Sequence, residues 1–234
     1  MIRSTNNCAE VESGNKFSDV LDYMKENNTA LVGAVYDLTC PMNGKNYMFF
    51  PAKRIKASEV FCMIIKTDRL LLRPLCLNDL KTVHAYASDL ENTQYMLFLP
   101  NDTEQETAAF LSSVEQEWAK EQPECFEFAI VLDDIQIGAV SICLDEIPGQ
   151  GEIGWILNKK YWGCGYATEA ALAVLNFAKT QRNLRRVIAH CDWRNLPSAR
   201  VMEKIGMHLA DENGTRTYVK RQETARELTY MIEF

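Results

Sequence analysis

The stretch GEIGWILNKKYWGCGYATEAAL (151–172) contains the features that decide the fold. Its first seven residues have the composition of a strand, Gly163-Cys164-Gly165 interrupts the chain, and a helical pattern of apolar residues follows directly. Glycines allow a positive φ and a close approach of the backbone to a ligand. The free amides at the start of the following helix then point at an anion, and the helix dipole adds to the attraction. The stretch therefore predicts a strand–turn–helix unit that cradles a phosphate group.

Two common phosphate-binding motifs do not fit this loop. The third glycine of a dinucleotide fingerprint is missing, and no Gly-Lys-Ser/Thr follows as in a P-loop. A Gly-x-Gly pair is also compatible with a tight turn that binds nothing. A nucleotide-binding or dinucleotide-binding enzyme therefore remains an alternative at this point. The rest of the chain has to distinguish it from other phosphate-binding proteins and from a turn without a ligand.

The segments on either side alternate between strand and helix patterns. Strands are predicted at 67–75, 126–132, 136–144, 151–157, 185–191, 217–220 and 227–234. Helices are predicted after a cap at Asn78 or Asp79 (with Val83, Tyr86, Ala87 and Leu90 on one face), after a Thr103–Glu106 capping box (with Phe110, Leu111, Val114 and Trp118), and over 167–180 and 197–205. The order β-α-α-β-β-β-α-β-α-β-β indicates an α/β fold with a mixed sheet.

The first 62 residues form a separate pattern. Phe17, Val20, Leu21 and Met24 have helical spacing, and the strand-like segments 30–38 and 46–50 flank a tight-turn pair at Asn43-Gly44. One helix and one hairpin are too little for a stable independent core. We therefore divide the chain into an N-terminal extension of unknown role, 1–62, and a main domain, 63–234.

Composition excludes several classes of protein. The 234 residues are 47% hydrophobic and carry a net charge of −7, which argues against nonspecific nucleic-acid binding and against a polybasic membrane contact. No apolar run approaches the roughly 20 residues of a membrane helix, and the N-terminus lacks the apolar core of a signal peptide. These features favour a cytoplasmic protein without a membrane or nucleic-acid partner.

Cysteine and histidine usage predicts neither a metal site nor a disulfide scaffold. The eight cysteines include no C-x-x-C pair, and the three histidines are scattered. Cys125 and Cys143 lie in apolar runs, where a free thiol behaves as a small hydrophobic group. A disulfide scaffold is not expected at this chain length, although the even number of cysteines leaves a single bridge open.

Four stretches in the same order resemble the GNAT superfamily of acetyl-CoA-dependent N-acetyltransferases, and most closely its ribosomal-protein N-terminal (RimJ/RimL-like) branch. They are IIKTDRLLLRPL, EIGWILNKKYWGCGYATEAA, VIAHCDWRNLPSARVMEKIGM and GTRTYVKRQETARELTYMI, and together they span about 64–234. The resemblance implies a mixed, mostly antiparallel central sheet flanked by helices. Lys160 stands where the family's cradle usually has Gln or Arg, a mild departure because the backbone carries the recognition.

The resemblance also implies where acetyl-CoA binds. The pantetheine arm is expected along the backbone of Ile156, Leu157 and Asn158, and the pyrophosphate on the amides of Gly163, Cys164, Gly165, Tyr166, Ala167 and Thr168. Asn195 matches a family asparagine that contacts the cofactor. Asparagine is also a good helix N-cap, so the two roles stay open for this residue. No metal is implied.

Acetyl transfer requires a proton to leave the amine and the departing sulfur to be stabilised. Many relatives use a tyrosine for the sulfur, but that position is Met202 here, so Ser198 is the candidate unless it only caps a helix. Glu152 matches a glutamate common in this branch and is one candidate base; it could instead form a cross-strand ion pair. His190 is the rival base, because imidazole suits neutral pH, unless it is simply a core histidine.

The predicted function is acetyl transfer to a primary amine, with a peptide or protein N-terminal α-amine preferred. Residues 102–127 hold eight acidic side chains and one lysine, and in this fold they would border the acceptor groove, where they could attract cationic substrates or merely be solvated. Alternatives are a small-molecule amine acetyltransferase for polyamines or antibiotics, or a CoA-binding sensor without catalysis. A homodimer is compatible with the sequence.

Overall fold

A computed structural model describes residues 63–234 in full and, in the first 62 residues, the backbone of four short strands. The strands are β1 Ile2–Thr5, β2 Cys8–Val11, β3 Tyr36–Thr39, β4 Asn46–Phe50, β5 Ile64–Lys66, β6 Leu71–Pro74, β7 Cys125–Leu132, β8 Ile135–Leu144, β9 Gln150–Leu157, β10 Arg186–Asp192, β11 His208–Tyr218 and β12 Glu223–Glu233. The α-helices are α1 Leu80–Ala87, α2 Leu90–Thr93, α3 Glu104–Trp118, α4 Tyr166–Gln181 and α5 Leu196–Lys204. Single 3-10 turns lie at Leu77–Asp79 and Lys159–Tyr161.

Ten strands form one sheet in the order β11-β12-β10-β9-β8-β7-β6-β5-β4-β3, and β1 pairs with β2 alone. Among the described strands, every pairing in the large sheet is antiparallel except that of β9 with β10, which is parallel. The eight strands β5 to β12 and their helices confirm the predicted mixed α/β fold. Among the described residues, no helix is both long and apolar enough to cross a membrane.

The β3–β4 hairpin joins the sheet through the pairing of β4 with β5, where Phe49 lies opposite Ile65. Strand β4 agrees with the predicted return strand, and β3 covers the end of the predicted first strand. The predicted helix around 17–24 and the turn at 43–44 lie outside the described residues.

The main core lies between the sheet and two helices. Phe126 and Phe128 of β7 each contact Trp118 of α3 and Phe177 of α4, with ring centroids 5.2–5.6 Å apart and edge-to-face geometry. Both helices therefore cover the same face of the sheet. Burial of each aromatic side chain contributes about 1.5–3 kcal/mol, so this cluster is a major contribution to stability.

Alternation along the strands gives the other face a different chemistry. We call it the polar face and define it by Glu152 of β9, His190 of β10, and Glu227 and Thr229 of β12. The strand registers place these residues side by side, because Ile188 lies opposite Glu152 and His190 lies opposite Thr229. Their chain neighbours point to the buried side.

Several predicted elements differ in extent from the observed ones. The strand predicted at 67–75 begins with a turn at Thr67–Leu70, in which Thr67 N donates to Leu70 O at 2.9 Å, so only Leu71–Pro74 of this range is strand, and β5 lies before it. Leu90 does not belong to the face of α1; it begins α2 after the Asp89 cap and is 74% exposed. Phe110 likewise lies on an exposed part of α3.

The C-terminal strands are much longer than predicted. Strands β11 and β12 form a hairpin whose turn, 219–222, includes part of the strand predicted at 217–220. Most of β11 is exposed, so it lacks the alternation of apolar and polar residues from which a strand is recognised. Its length comes from pairing with β12.

Two cysteines form the single bridge that the even number of cysteines left open, so the interpretation of their apolar runs as sites of free thiols is wrong. Cys125 of β7 lies directly opposite Cys143 of β8, and the two form a disulfide. The apolar pattern of each strand was correct, but only the register of the pair places the two sulfur atoms next to each other. Of the other cysteines in 63–234, Cys164 is exposed, Cys76 is half-buried and Cys191 is buried.

Candidate functional site

The site begins where two parallel strands separate. The pairing of β9 with β10 ends at Glu152 and Ile188, although β9 continues to Leu157 and β10 to Asp192. Beyond Glu152, the edge of β9 that faces β10 therefore has no strand partner. Unpaired backbone amides and carbonyls form a natural binding edge for an extended polar chain.

A cleft of about 450 Å³ opens at this gap. It is lined from the β9 side by Trp155, Ile156 and Leu157, from the loop and α4 by Tyr161, Trp162, Gly163, Gly165, Tyr166, Ala167 and Thr168, from α5 and the residue before it by Asn195, Pro197, Ser198, Arg200, Val201 and Lys204, and from α2 and the residues after it by Glu91, Asn92, Gln94, Tyr95 and Met96. Nine of the predicted site residues are in this lining. Asn158, Cys164, Glu152 and His190 are not.

The glycine loop has the geometry that the sequence predicts. Gly163 and Gly165 have φ values of +77° and +82°, in the left-handed region that favours glycine. Gly165 is the N-cap of α4 and provides no side-chain cap, so no cap side chain occupies the amides of the first turn. These amides belong to residues that line the cleft, which makes this end of the cleft suitable for an anion such as a pyrophosphate.

An ion pair that sequence reasoning missed holds the loop in place. Arg69, in the turn between β5 and β6, donates from Nη1 to the carbonyl of Cys164 at 3.1 Å and lies over the ring of Tyr166. Its backbone N and Nε donate to the carboxylate of Glu169 at 3.0 and 2.7 Å. Thr67 Oγ1 donates to the same carboxylate. Glu169 thus joins the start of α4 to this turn.

A second missed residue, Asn92 of α2, fixes the end of β9. Its Nδ2 donates to the carbonyl of Leu157 at 3.1 Å, and its Oδ1 accepts from the backbone N of Lys159 at 2.7 Å. Trp162 Nε1 also donates to the Leu157 carbonyl, at 2.7 Å. Asn158 uses its side chain to cap the following 3-10 turn, by accepting from Lys160 N. Because protein groups already occupy the Leu157 carbonyl, backbone contacts to a ligand fall on the preceding residues.

Asn195 and Ser198 meet at the start of α5. Asn195 Oδ1 accepts from the backbone N of Ser198 at 3.2 Å, so Asn195 is an N-cap, as one of its two predicted roles required. Both residues line the cleft, and the capping bond leaves Asn195 Nδ2 available. Met202 is buried in the core and does not line the cleft.

A buried carboxylate fixes the turn that precedes Asn195. Asp192 accepts from Arg194 Nε and Nη2 at 2.9 and 2.8 Å and from the hydroxyl of Tyr218. Burial alone would raise the pKa of Asp192, but the hydrogen bonds from Arg194 and Tyr218 lower it to about 2. The end of β10 is thereby joined to β11.

The two candidate bases lie outside the cleft lining, on the polar face. Glu152 is solvent-exposed, and its pKa is raised, first by desolvation and then by Glu227 and Asp145, while His190 and Arg216 oppose the shift. His190 Nδ1 lies 3.0 Å from Thr229 Oγ1. Neither residue is a plain core residue, and the structure places both on neighbouring strands where the gap opens.

The predicted acidic border of the groove is partly neutralised. Lys220, in the β11–β12 turn, contacts Asp102 and Glu106 at 2.9 and 2.6 Å, and Lys120 pairs with Glu117. Glu127 lies within the sheet. The attraction for cationic substrates is therefore weaker than the charge count of this segment predicts. Among the described residues, no group of three or more His, Cys, Asp or Glu side chains is placed to hold a metal.

Comparison with known proteins gives a consistent result. Residues 69–208 match the family model described as "Acetyltransferase (GNAT) domain". The uncharacterized N-acetyltransferase YnaD of Bacillus subtilis is 36% identical over 149 residues, which cover 62% of this chain and 82% of YnaD. A GNAT-family acetyltransferase of Bacillus anthracis superposes with a TM-score of 0.64 at 33% identity, over 73% of this chain and 98% of that one.

The fold also extends to more distant structures. RimL, a ribosomal L7/L12 α-N-protein acetyltransferase, superposes with a TM-score of 0.62 over 79% of this chain and 99% of its own, at 15% identity. A second RimL structure contains coenzyme A. At this identity the likeness shows a shared fold.

Proposed function

The chain belongs to the GNAT family of acetyltransferases, and on that premise we propose that it moves the acetyl group of acetyl-CoA to the α-amine at the N-terminus of a peptide or protein. Two similar proteins, YnaD and p20, are also named N-acetyltransferases, which agrees with this activity. The acceptor is the part that this proposal adds.

The observation that carries the proposal is the shape of the cleft. One end is formed by the glycine loop and the uncapped first turn of α4, which suit the pyrophosphate of acetyl-CoA. The other end reaches the gap between β9 and β10, where Trp155 and Ile156 offer an unpaired strand edge to the pantetheine arm. The thioester would then lie at the gap, within reach of an amine that arrives from the polar face.

The reaction needs few groups from the protein. The amine nitrogen bonds to the acetyl carbon, the carbon–sulfur bond breaks, and its electron pair leaves with the sulfur of CoA. Ser198 lines the cleft at the start of α5, where backbone amides and a hydroxyl can stabilise a thiolate. The protein's main contribution is to hold the two substrates in line.

Acid–base chemistry favours an α-amine as the acceptor. An α-amine near pKa 7.7–8.0 is roughly 10% neutral at pH 7, whereas only about one lysine side chain in 2,500 is neutral. The carboxylate that lines the cleft, Glu91, is paired with Lys159 at 2.8 Å and is poorly placed to deprotonate a lysine. RimL, which shares the fold, is named for transfer to an α-amine.

A thiol-release assay with acetyl-CoA tests the proposal. Matched peptides differ only in which amine is free: one has a free N-terminus and no lysine, and the other has a blocked N-terminus and one lysine. Spermidine and an aminoglycoside represent small amines. We expect release of CoA with the first peptide. Preference for the lysine peptide or for a small amine would refute the α-amine assignment.

Binding is measured separately by thermal shift. Acetyl-CoA at 100 times its dissociation constant should add about 2.7 kcal/mol to the free energy of unfolding. Binding without transfer to any amine would support a CoA sensor instead. No shift with millimolar acetyl-CoA would refute the assignment of the cleft.

A further inference from the structure

His190 lies on the part of β10 that borders the gap in the sheet. Glu152 and Ile188 are the last paired residues of β9 and β10, so His190, two residues farther along, lies level with Gly154 on the part of β9 that has left its partner. Ile156, two residues beyond Gly154 and on the same side of β9, lines the cleft. An amine that approaches the thioester from the polar face therefore passes His190.

Glu227 contacts His190 from the neighbouring strand. Its Oε2 lies 3.5 Å from His190 Nδ1, and its Oε1 lies 3.6 Å from Nη1 of Arg216. Arg216 is buried, and its Nε and Nη1 have no hydrogen-bond partner among the described residues. The Glu227 carboxylate therefore lies between the imidazole of His190 and the guanidinium of Arg216.

This arrangement selects one tautomer of the imidazole. A carboxylate only accepts hydrogen bonds, so the proton of neutral His190 belongs on Nδ1, where Glu227 and Thr229 face it. The lone pair is then on Nε2, which forms no hydrogen bond with the described residues. A histidine with a carboxylate beside one ring nitrogen and an open second nitrogen is an arrangement that general-base catalysis uses.

We propose that His190 is the general base of acetyl transfer and that Glu227 is the positioning residue that keeps Nε2 free to accept the proton. The inference rests on the proposed function and adds the residue that accepts the proton from the amine. As the bond between nitrogen and acetyl carbon forms, the proton on that nitrogen moves to His190 Nε2, and the electron pair of the broken carbon–sulfur bond leaves with CoA. His190 then returns the proton to solvent.

The other charged groups around His190 are Glu152 on β9, Asp145 in the loop after β8, and Arg216 behind Glu227. His190 contributes to lowering the pKa of Asp145 and opposes the rise in the pKa of Glu152, so these charges interact with one another.

The test combines kinetics and nuclear magnetic resonance on the full chain. The variants are His190→Gln, Glu227→Gln and the double variant, with Glu233→Gln as the matched control, because Glu233 lies on the same strand and pairs with Arg186 away from the gap. The kinetic readout is the pH dependence of kcat/KM with acetyl-CoA and the lysine-free peptide. The spectroscopic readout is the titration of the imidazole signals without substrates, and loss of one signal in His190→Gln identifies His190.

We expect His190→Gln to lower kcat/KM by about 10²-fold. The α-ammonium of the peptide gives an acidic limb of its own, so the kinetic readout is the difference between the profiles of the wild-type protein and the variant. Glu227→Gln should move the His190 signal to lower pH, because the imidazolium loses its carboxylate partner. The double variant should be no slower than His190→Gln. An unchanged kcat/KM in His190→Gln, or a double variant slowed by the product of the two single effects, would overturn the proposal.

Failure of the proposed function gives a different result. If the wild-type protein transfers acetyl to no α-amine, the acceptor assignment and the role of His190 as its base are both rejected by the kinetics. The titration needs no acceptor. If it shows no shift of the His190 signal in Glu227→Gln, the positioning role is rejected even when transfer by the wild-type protein is normal.

Discussion

Arg69 and Glu169 lie 100 residues apart in the chain and meet beside the glycine loop, where Nε and Nη2 of Arg69 both lie 2.7 Å from Oε2 of Glu169. The same guanidinium bonds to the carbonyl of Cys164. The glycine loop is therefore held by the turn between β5 and β6, which lies far from it in the chain, and the position of that loop depends on tertiary structure.

Arg69→Ala should weaken acetyl-CoA binding more than it weakens folding. Loss of charge-assisted bonds to the loop should raise KM for acetyl-CoA about tenfold. Because the Arg69 side chain is 45% exposed, the ion pair itself adds at most about 1 kcal/mol to stability. Arg186→Ala, which removes an exposed pair with Glu233, is the control. A large drop in melting temperature with unchanged KM would contradict the assignment.

Gly165→Val should abolish acetyl-CoA binding and leave the fold intact. A β-branched residue is strained at φ +82°, so the first turn of α4 must shift and its amides turn away from the cleft. Gly163→Asn is the matched comparison, because asparagine tolerates a positive φ and a Cβ at 163 meets nothing within 4 Å. Calorimetry and circular dichroism measure the two effects. Equal affinity in Gly165→Val and the wild-type protein would show that the loop is not the binding site.

Two substitutions at Asn195 should separate capping from ligand binding. Asn195→Ser keeps a good N-cap and removes the amide donor, whereas Asn195→Ala removes both and should cost about 1 kcal/mol of stability. If Asn195 Nδ2 contacts acetyl-CoA, both variants bind more weakly, but only the alanine variant is less stable. Full affinity in the serine variant would leave Asn195 as a cap alone.

Ser198→Ala should lower kcat while acetyl-CoA still binds. General-acid assistance is worth about 10²–10⁴-fold, and we expect the low end, because a thiolate is a fairly good leaving group. The capping bond uses the backbone N of Ser198 and survives the substitution. Single-turnover kinetics show whether the chemical step is slowed. A wild-type rate with chemistry rate-limiting would remove Ser198 from the reaction.

Glu127→Gln should stabilise the protein at high pH. Burial raises the pKa of Glu127 in β7 to about 7, against a hydrogen bond with Ser141. The folded state binds this proton more tightly than the unfolded state does. The protonated carboxyl therefore makes its full contribution to the free energy of unfolding below about pH 4.5, and this contribution is lost as pH rises through 7.

The variant's free energy of unfolding minus that of the wild-type protein should therefore be about 1–3 kcal/mol larger at pH 8 than at pH 4.5. Urea unfolding at both values measures this, with Glu124→Gln at an exposed position as the control. An equal change at the two pH values would contradict the raised pKa.

The sequence alone determined the local elements and the conformation of the glycine loop. Gly163 and Gly165 between a strand pattern and a helix pattern predicted the loop, because positive φ and an uncapped helix start are local properties. The strands predicted at 126–132 and 136–144 agree with β7 and β8, which are joined by a turn at Asp133-Asp134 where both residues have positive φ. Asn195 predicted the cap of α5 for the same reason.

Tertiary structure decided everything that depends on register and on distant contacts. Pairing of β7 with β8 placed Cys125 opposite Cys143, and the end of the β9–β10 pairing at Glu152 created the gap. Glu227 meets His190 only because β12 pairs with β10. A one-residue change of register would move either side chain to the other face of the sheet, and the alternation of residues along one strand does not specify which partner it will face.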